Sequence, residues 1–236
     1  MSDVNGERRS YHSPVRSESA RRTRQAIVAA ATRLFVERGY VGASLREVAE
    51  IAGVARPTVA AAFGSKPALL RQVLDEALAG DDEPVPVAQR PWFAPVWQAT
   101  DPRAVLTAYA GVCTLISRRA ARIMEVVHRA AGASPEIAEQ WDILLRNRRA
   151  GAEMVVRRAQ DTGPLKPDMA IDAAIDSLWT LNDPTHYLNL VLDRHWPEAD
   201  YRRWLSNQMC AALLEPAASL PDASRGAATT EVDTGP

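Results

Sequence analysis

The sequence predicts an all-α fold, in which a small N-terminal group of helices is followed by a larger helical body. Apolar residues recur every three or four positions along most of the 236-residue chain, which is the spacing of one helix face. Serine residues able to cap a helix precede several of these segments, and glycine follows several of them. We find no segment with the alternating pattern of a half-buried strand.

The first predicted helix runs from Arg22 to Arg38 and ends at Gly39. Residues 44–63 then predict two short helices joined by a tight turn. This is the layout of a helix-turn-helix, which places one helix in the major groove of DNA. A helical hairpin in any all-α protein would show a similar pattern, so the motif alone does not decide the function.

Local signals fix the ends of the two short helices. Ser44 and Glu47 have the spacing of a capping box, in which each side chain bonds the backbone N–H of the other. Gly53 tolerates the left-handed backbone of a sharp turn. Pro57 falls in the first turn of the second helix, where its missing N–H costs little. Ser65 can cap the next helix, and Lys66 beside that N-terminus suits a phosphate group.

Five further helical segments are predicted in the body. They cover Pro102 to Arg119, Ala121 to Ala131, Pro135 to Thr162, Asp168 to Arg194 and Glu198 to Leu214. Pro184 interrupts the fourth segment, because proline lacks the N–H that a helix interior needs, so we expect a break near Asn182.

Composition divides the chain into five parts. We expect a disordered basic arm at 1–20, a DNA-binding domain at 21–80, a linker or loop at 81–100, a helical body at 101–215 and a disordered tail at 216–236. The linker is predicted from its four prolines and acidic start. Residues 1–80 hold twelve Lys/Arg against eight Asp/Glu, and the rest hold sixteen against twenty-one. A basic head on an acidic body favours phosphate contact at one end.

Other function classes find little support in the sequence. The four histidines show no metal-ligand spacing, and no phosphate-binding loop or nucleophile motif is present, so we predict no metal, no cofactor and no enzyme activity. Two cysteines inside helical patterns indicate buried free thiols. With no signal peptide and no apolar stretch of membrane length, we expect a cytoplasmic protein without membrane contact. A helical enzyme using His186 and Asp183 remains an alternative hypothesis.

The segment from Thr23 to Leu70 resembles the DNA-binding domain of TetR-type transcriptional repressors. The matching pieces are Thr23-Arg24, Leu34-Phe35-x-x-Arg38-Gly39-Tyr40, Ser44-x-x-x-Val48-Ala49-x-x-Ala52-Gly53-Val54, Thr58-Val59 and Phe63-x-Ser65-Lys66-x-x-Leu69. The resemblance implies a homodimer with a three-helix DNA-reading head, a ligand-sensing and dimerisation body, and a repressor released from a near-palindromic operator by a small-molecule effector. The effector, the operator and the choice between repressor and activator stay open.

The residues assigned to DNA contact are Thr23, Arg24, Ser44, Arg46, Arg56, Pro57, Thr58, Ala60, Ala61 and Lys66. The chain departs from the family pattern at one place. The family usually has an aromatic residue soon after Thr58-Val59, and this chain has alanine at positions 60, 61 and 62. Alanine cannot bond a phosphate, although its methyl suits a thymine methyl. DNA binding could therefore be weak or depend on DNA shape. A helical interaction module without DNA binding is a further alternative.

Two further sets of residues are assigned in the body. The effector-binding candidates are Trp97, Tyr109, Met124, His128, Trp141, Leu145, Arg148, Trp179, Asn182 and His186, because sensing pockets are mostly apolar and aromatic with a few polar groups. The dimer-interface candidates are Ile175, Leu178, Leu188, Trp204, Leu205, Met209 and Leu213. The apolar stripe of the last segment, Glu198 to Leu214, could instead pack within one subunit. Arg148 in a pocket would favour an anionic ligand.

Overall fold

The computed structural model describes residues 14–216, and this range is helical without a β-strand. The α-helices are α1 Pro14–Gly42, α2 Leu45–Ala52, α3 Arg56–Phe63, α4 Lys66–Ala79, α5 Ala94–Gln98, α6 Pro102–Ala130, α7 Pro135–Thr162, α8 Ile171–Leu181, α9 Pro184–Tyr187 and α10 Glu198–Leu213. Short 3₁₀ turns lie at Val87–Gln89, Pro91–Phe93 and Ala131–Ala133, and a π-helical turn lies at Leu188–Asp193.

The head consists of α1 to α4, and its helix ends follow the predicted local signals. The Ser44–Glu47 capping box is complete, and Gly53 ends α2 in the left-handed region at φ 68°. Proline stands in the first turn of α3, and the Ser65 hydroxyl accepts a hydrogen bond from the N–H of Ala68 at the start of α4. Val59 is buried, so α3 is held to the head core by its inner face.

The first helix differs from the prediction at its start. It begins at Pro14, so residues 14–20 are helical where a disordered arm was expected, and residues 1–13 lie outside the described range. An ion pair one helix turn apart, from Arg22 to Glu18, supports this extension. The predicted end is confirmed, because Gly39 leaves the helical region at φ 70° and ψ 173°.

The body is built around α6, which is one helix and not the two that the sequence indicated. Polar residues at 117–119 mark the predicted boundary, but Ala120 and Ala121 continue the helix and are buried. The prediction for α7 is confirmed, and the chain breaks at Asn182 as expected from Pro184. Helix α6 packs against α1 and α4 with its C-terminal half and against α7, α9 and α10 elsewhere, so it is shared by head and body.

Residues 81–88, called here the strap, lie in the segment predicted as a linker or loop, and side-chain hydrogen bonds fix their path. The Arg90 side chain is only 5 % exposed and donates hydrogen bonds to the carboxylate of Asp81 and to the backbone carbonyls of Glu83 and Val85. After Arg90 the chain forms a 3₁₀ turn and α5, which place Phe93 and Val96 in the body core. One buried guanidinium therefore fixes the path of a segment that has little regular structure.

Candidate nucleic-acid interface and ligand cavity

The outer face of α3 presents a small and mostly uncharged surface. Ala60 and Ala61 are exposed, and Arg56 is exposed at the first position of the helix. Thr58 is half-buried. The alanine methyls can touch only apolar groups, and in the major groove the thymine methyl is such a group. Among the α3 residues predicted to contact DNA, only Arg56 and Thr58 have a hydrogen-bonding side chain.

Arg46 adds a second cation from α2. Its side chain is exposed and lies 3.9 Å from Glu50 one turn along the same helix, which is a loose surface pair. Pro57 is exposed beside Arg56, Thr23 is half-buried on α1, and Ser44 is occupied by its capping box. Arg46 and Arg56 are thus the two predicted DNA contacts with both a charge and a free path to a phosphate or a base edge.

Two predicted DNA contacts also have structural partners. Arg24 Nη1 donates a 2.6 Å hydrogen bond to the carbonyl of Ala62, and its guanidinium carbon lies 4.4 Å from the ring centre of Phe63. Arg24 therefore ties α1 to the C-terminal end of α3. Lys66, predicted to suit a phosphate group, also has an aromatic partner, because its Nζ lies 4.2 Å from the ring centre of Tyr40. Burial lowers the pKa of Lys66, and the nearby Glu47 opposes that shift.

A cavity of about 850 Å³ lies between the head and the body. Its walls are α4, the strap, α6, α7 and the junction of α8 with α9, and most of its lining is apolar. Its lining includes Leu78, Val85, Val87, Phe93, Val112, Ile116, Met124, Leu144 and Met154. A cavity of this size and character falls within the range of small-molecule sites.

One end of the cavity carries a connected polar cluster. Asn182 Nδ2 donates to the hydroxyl of Tyr109 at 2.9 Å, and Arg148 Nη2 donates to Asn182 Oδ1 at 2.8 Å and to the carbonyl of Trp179 at 3.1 Å. Arg148 Nη1 lies 3.1 Å from Asp183. Burial raises the pKa of Tyr109 well above its usual range, so its hydroxyl is neutral at pH 7.

Four of the ten predicted effector residues line this cavity, and six do not. Tyr109, Met124, Arg148 and Asn182 contribute to its wall. The six others are Trp97, His128, Trp141, Leu145, Trp179 and His186. The sequence could not separate the two groups, because an aromatic side chain suits a packed core as well as a pocket.

The six excluded residues serve packing. The indole N–H of Trp97 donates to the carbonyl of Ala88, and its ring stacks on Phe93 with centres 5.2 Å apart. His128 and Trp141 stack on each other at 4.4 Å, beside the head core. The remaining three pack elsewhere: Trp179 lies against Arg148, His186 meets Trp204 edge to face, and Leu145 is half-buried on α7.

The comparisons with known proteins fit this two-part arrangement. Residues 27–73 match the model of bacterial regulatory proteins of the tetR family, and residues 98–207 match that of the tetracyclin repressor-like C-terminal domain. The two matches follow the head and the body and together span well over half of the sequence. The chain belongs to the TetR family. It is a DNA-binding transcriptional regulator, and regulators of this family dimerise on DNA operators.

Solved structures agree on the TetR fold. A protein from Saccharomonospora viridis, described as a transcriptional regulator and bound to choline, is 21 % identical with a TM-score of 0.65, covering 85 % of this chain and 100 % of its own. NalD, the secondary repressor of the MexAB-OprM multidrug efflux pump in Pseudomonas aeruginosa, is 21 % identical with a TM-score of 0.62, covering 84 % and 98 %. No curated protein sequence shows significant similarity to the chain.

Most of the residues predicted for the dimer face of this TetR-family chain lie inside one subunit. Five of its seven residues lie in the core of a single subunit at 2 % exposure or less, namely Ile175, Leu178, Leu205, Met209 and Leu213. They pack α8 against α7 and α10, and α10 against α6, within one subunit. Leu188 and Trp204 are half-buried and keep accessible surface. An apolar stripe of this length is the same in sequence whether it packs within or between subunits.

The cavity also contains residues that the sequence did not single out. The strap supplies residues 81–88, and α6 supplies Cys113, four positions after Tyr109 on the same helix face. Burial raises the pKa of Cys113 to about 12, so its thiol is neutral and unreactive at pH 7. Within residues 14–216 no group of side chains is arranged to hold a metal ion, and no helix there has the length and apolarity to cross a membrane.

Proposed function

We propose that this regulator is a homodimeric repressor in the cytoplasm that leaves its operator when a small apolar molecule fills the cavity. The observation that carries the proposal is the double role of α4. Its inner face, Leu69, Leu70, Val73 and Leu74, is buried in the head core. Its other face, from Gln72 to Ala79, forms a cavity wall. An occupant of the cavity therefore presses on a helix that supports the DNA-reading head.

A second connection runs through the strap. Asp82 accepts two hydrogen bonds from Arg21 of α1, at 2.7 and 2.9 Å, and a weaker one from Gln25. The same α1 holds the end of α3 through Arg24. Because the strap lines the cavity, its displacement by a ligand would be transmitted to α1 and from there to the recognition helix.

Operator reading is proposed to combine sparse base contacts with DNA shape. Arg46 and Arg56 supply charge, while Ala60 and Ala61 select thymine methyl groups. Such a surface gives fewer direct contacts than a recognition helix with an aromatic residue. We therefore expect sequence-dependent groove width and flexibility to contribute to specificity. We propose that Arg8 and Arg9, which lie outside the described range, add phosphate contacts.

Two heads are needed to read a near-palindromic operator, with recognition helices about 34–36 Å apart. We propose that the subunits pair through the outward faces of α8 and α10. Leu188 and Trp204 are the two predicted interface residues that keep surface for this contact. A ligand that favours one spacing of the heads over the other then controls operator affinity.

Release can be tested with compounds chosen only for their fit to an apolar cavity. A panel of apolar compounds is screened by thermal unfolding. Compounds that raise the Tm are titrated into a complex of the protein with the selected duplex, which is the DNA duplex that the protein enriches from a random pool. We expect such compounds to lower operator affinity at least tenfold, which corresponds to about 1.4 kcal/mol of differential binding.

The matched control for release is Gly151→Phe. Gly151 lines the cavity from α7, and a Cβ built there meets no atom within 4 Å, so a large side chain can enter the cavity. This variant should lose both the Tm increase and the response of DNA affinity to the compounds. Compounds that stabilise the protein through the cavity but leave operator affinity unchanged would contradict the proposed release.

A further inference from the structure

Charge around the cavity is strongly uneven. The residues of its wall that carry a charge at pH 7 are Asp75, Glu76, Asp81, Asp82, Glu83 and Arg148. Three of the acids are already paired with arginines outside the wall. Arg90 lies 2.6 Å from Asp81, and Arg21 lies 2.7 Å from Asp82 and 3.2 Å from Glu83. The charge that an occupant meets is therefore decided by Arg148 and by the two acids of α4.

Arg148 does not make the cavity positive. Its side chain is only 10 % exposed, and Asp183 lies 3.1 Å from its Nη1, so its charge is compensated within the protein. Its Nε is buried and has no hydrogen-bond partner among residues 14–216. An atom without accessible surface does not touch an occupant of the cavity, and Nη2 already donates to Trp179 and Asn182. Arg148 therefore adds neither a free charge nor a free donor to the cavity wall.

The two carboxylates of α4 have no comparable partner. Asp75 lies 3.8 Å from Arg71, and both side chains are about 60 % exposed, so water screens this pair. Glu76 accepts a hydrogen bond from the amide of Gln72. Partial burial raises the pKa of Asp75, and the charge of Arg71 opposes the shift. A positive group brought into the cavity would supply the missing counter-charge.

We propose that the effector is an apolar cation whose positive group lies beside Asp75 and Glu76 and whose apolar body fills the cavity. The proposal rests on the proposed function of the cavity as the effector site. It replaces the prediction of an anionic ligand, which the sequence analysis drew from the charge of Arg148. An anion would meet two weakly compensated carboxylates and no uncompensated arginine in the described wall.

The test compares two ions of nearly equal size and opposite charge, tetraphenylphosphonium and tetraphenylborate, in sodium buffer. Binding to the full-length protein is measured by calorimetry. We expect the cation to bind at least tenfold more tightly than the anion. The double variant Asp75→Asn/Glu76→Gln should bring this ratio close to one. Asp161→Asn, an exposed acid of α7 outside the cavity wall, should leave the ratio unchanged.

Gly151→Phe separates cavity binding from surface binding, because it should abolish binding of both ions. The proposal is overturned if the anion binds as tightly as the cation, if neither ion binds, or if the ratio survives removal of the two carboxylates. Binding of the selected duplex is followed in the same samples. A cation that prefers the cavity but leaves the duplex bound supports the charge assignment and contradicts release. Release by compounds of either charge supports the proposed function and contradicts the charge assignment.

Discussion

Replacing Arg56 by alanine lowers operator affinity by about tenfold to a hundredfold, which is the range expected when one arginine contact to a base edge is lost, about 1–3 kcal/mol. The effect is large because the recognition helix has few other polar groups on its exposed face, where Ala60 and Ala61 contribute methyls alone. Fluorescence anisotropy with a labelled duplex measures the change, and circular dichroism checks that the helices are intact.

The control for Arg56→Ala is Arg146→Ala, which removes an exposed arginine from α7 in the body. This variant has the same change in net charge and should bind the duplex like the parent protein. A loss of affinity that differs between the operator duplex and duplexes of altered sequence assigns Arg56 to base reading. A uniform loss with a shallower salt dependence assigns it to a phosphate. Equal affinity of parent and Arg56→Ala would remove α3 from the DNA interface.

Replacing Arg90 by methionine destabilises the protein by about 2–3 kcal/mol, since it removes a buried guanidinium and leaves its carbonyl acceptors without donors. The guanidinium is 5 % exposed and bonds Asp81 and the carbonyls of Glu83 and Val85. Asp81 can regain water, which limits the loss. The expected change in Tm is a decrease of roughly 5–10 °C, measured by calorimetry.

The control for Arg90→Met is Gln89→Met, an exposed neighbour that should leave the Tm nearly unchanged. The contact also has a defined pH range. Hydrogen bonds from Arg90, followed by the backbone N–H of Glu83, hold the pKa of Asp81 below its usual value. The contribution of this carboxylate to stability is therefore present at neutral pH and is lost as the pH falls through the lowered pKa. An unchanged Tm in Arg90→Met would show that the strap does not depend on this residue.

The head could be predicted from the sequence because its helix ends are set by neighbouring residues. Ser44 and Glu47 cap each other within one turn, and Gly53 supplies a backbone conformation that few other residues adopt. Such signals act over three or four positions and do not depend on the rest of the fold. The division of the fourth body segment near Asn182 was predicted for the same reason, since Pro184 cannot continue a helix.

The strap shows where local signals are insufficient. Its prolines and acidic residues are typical of a loop, and the chain there does lack long helices. Its ordered path depends on one arginine that contacts residues five to nine positions away and on α1, about sixty positions away. The apolar stripe of α10 is ambiguous for a related reason, because burial of Leu205 or Met209 within one subunit leaves no trace in the sequence.

Selection from a random pool of duplexes tests whether two identical heads place α3 in successive major grooves. Protein is incubated with the pool at low ionic strength, and bound duplexes are sequenced after several rounds. We expect a near-palindromic motif with two half-sites about one helical turn apart, and two subunits per duplex by sedimentation. Failure to enrich any sequence, or a single half-site bound by one subunit, would contradict the two-headed mode of binding.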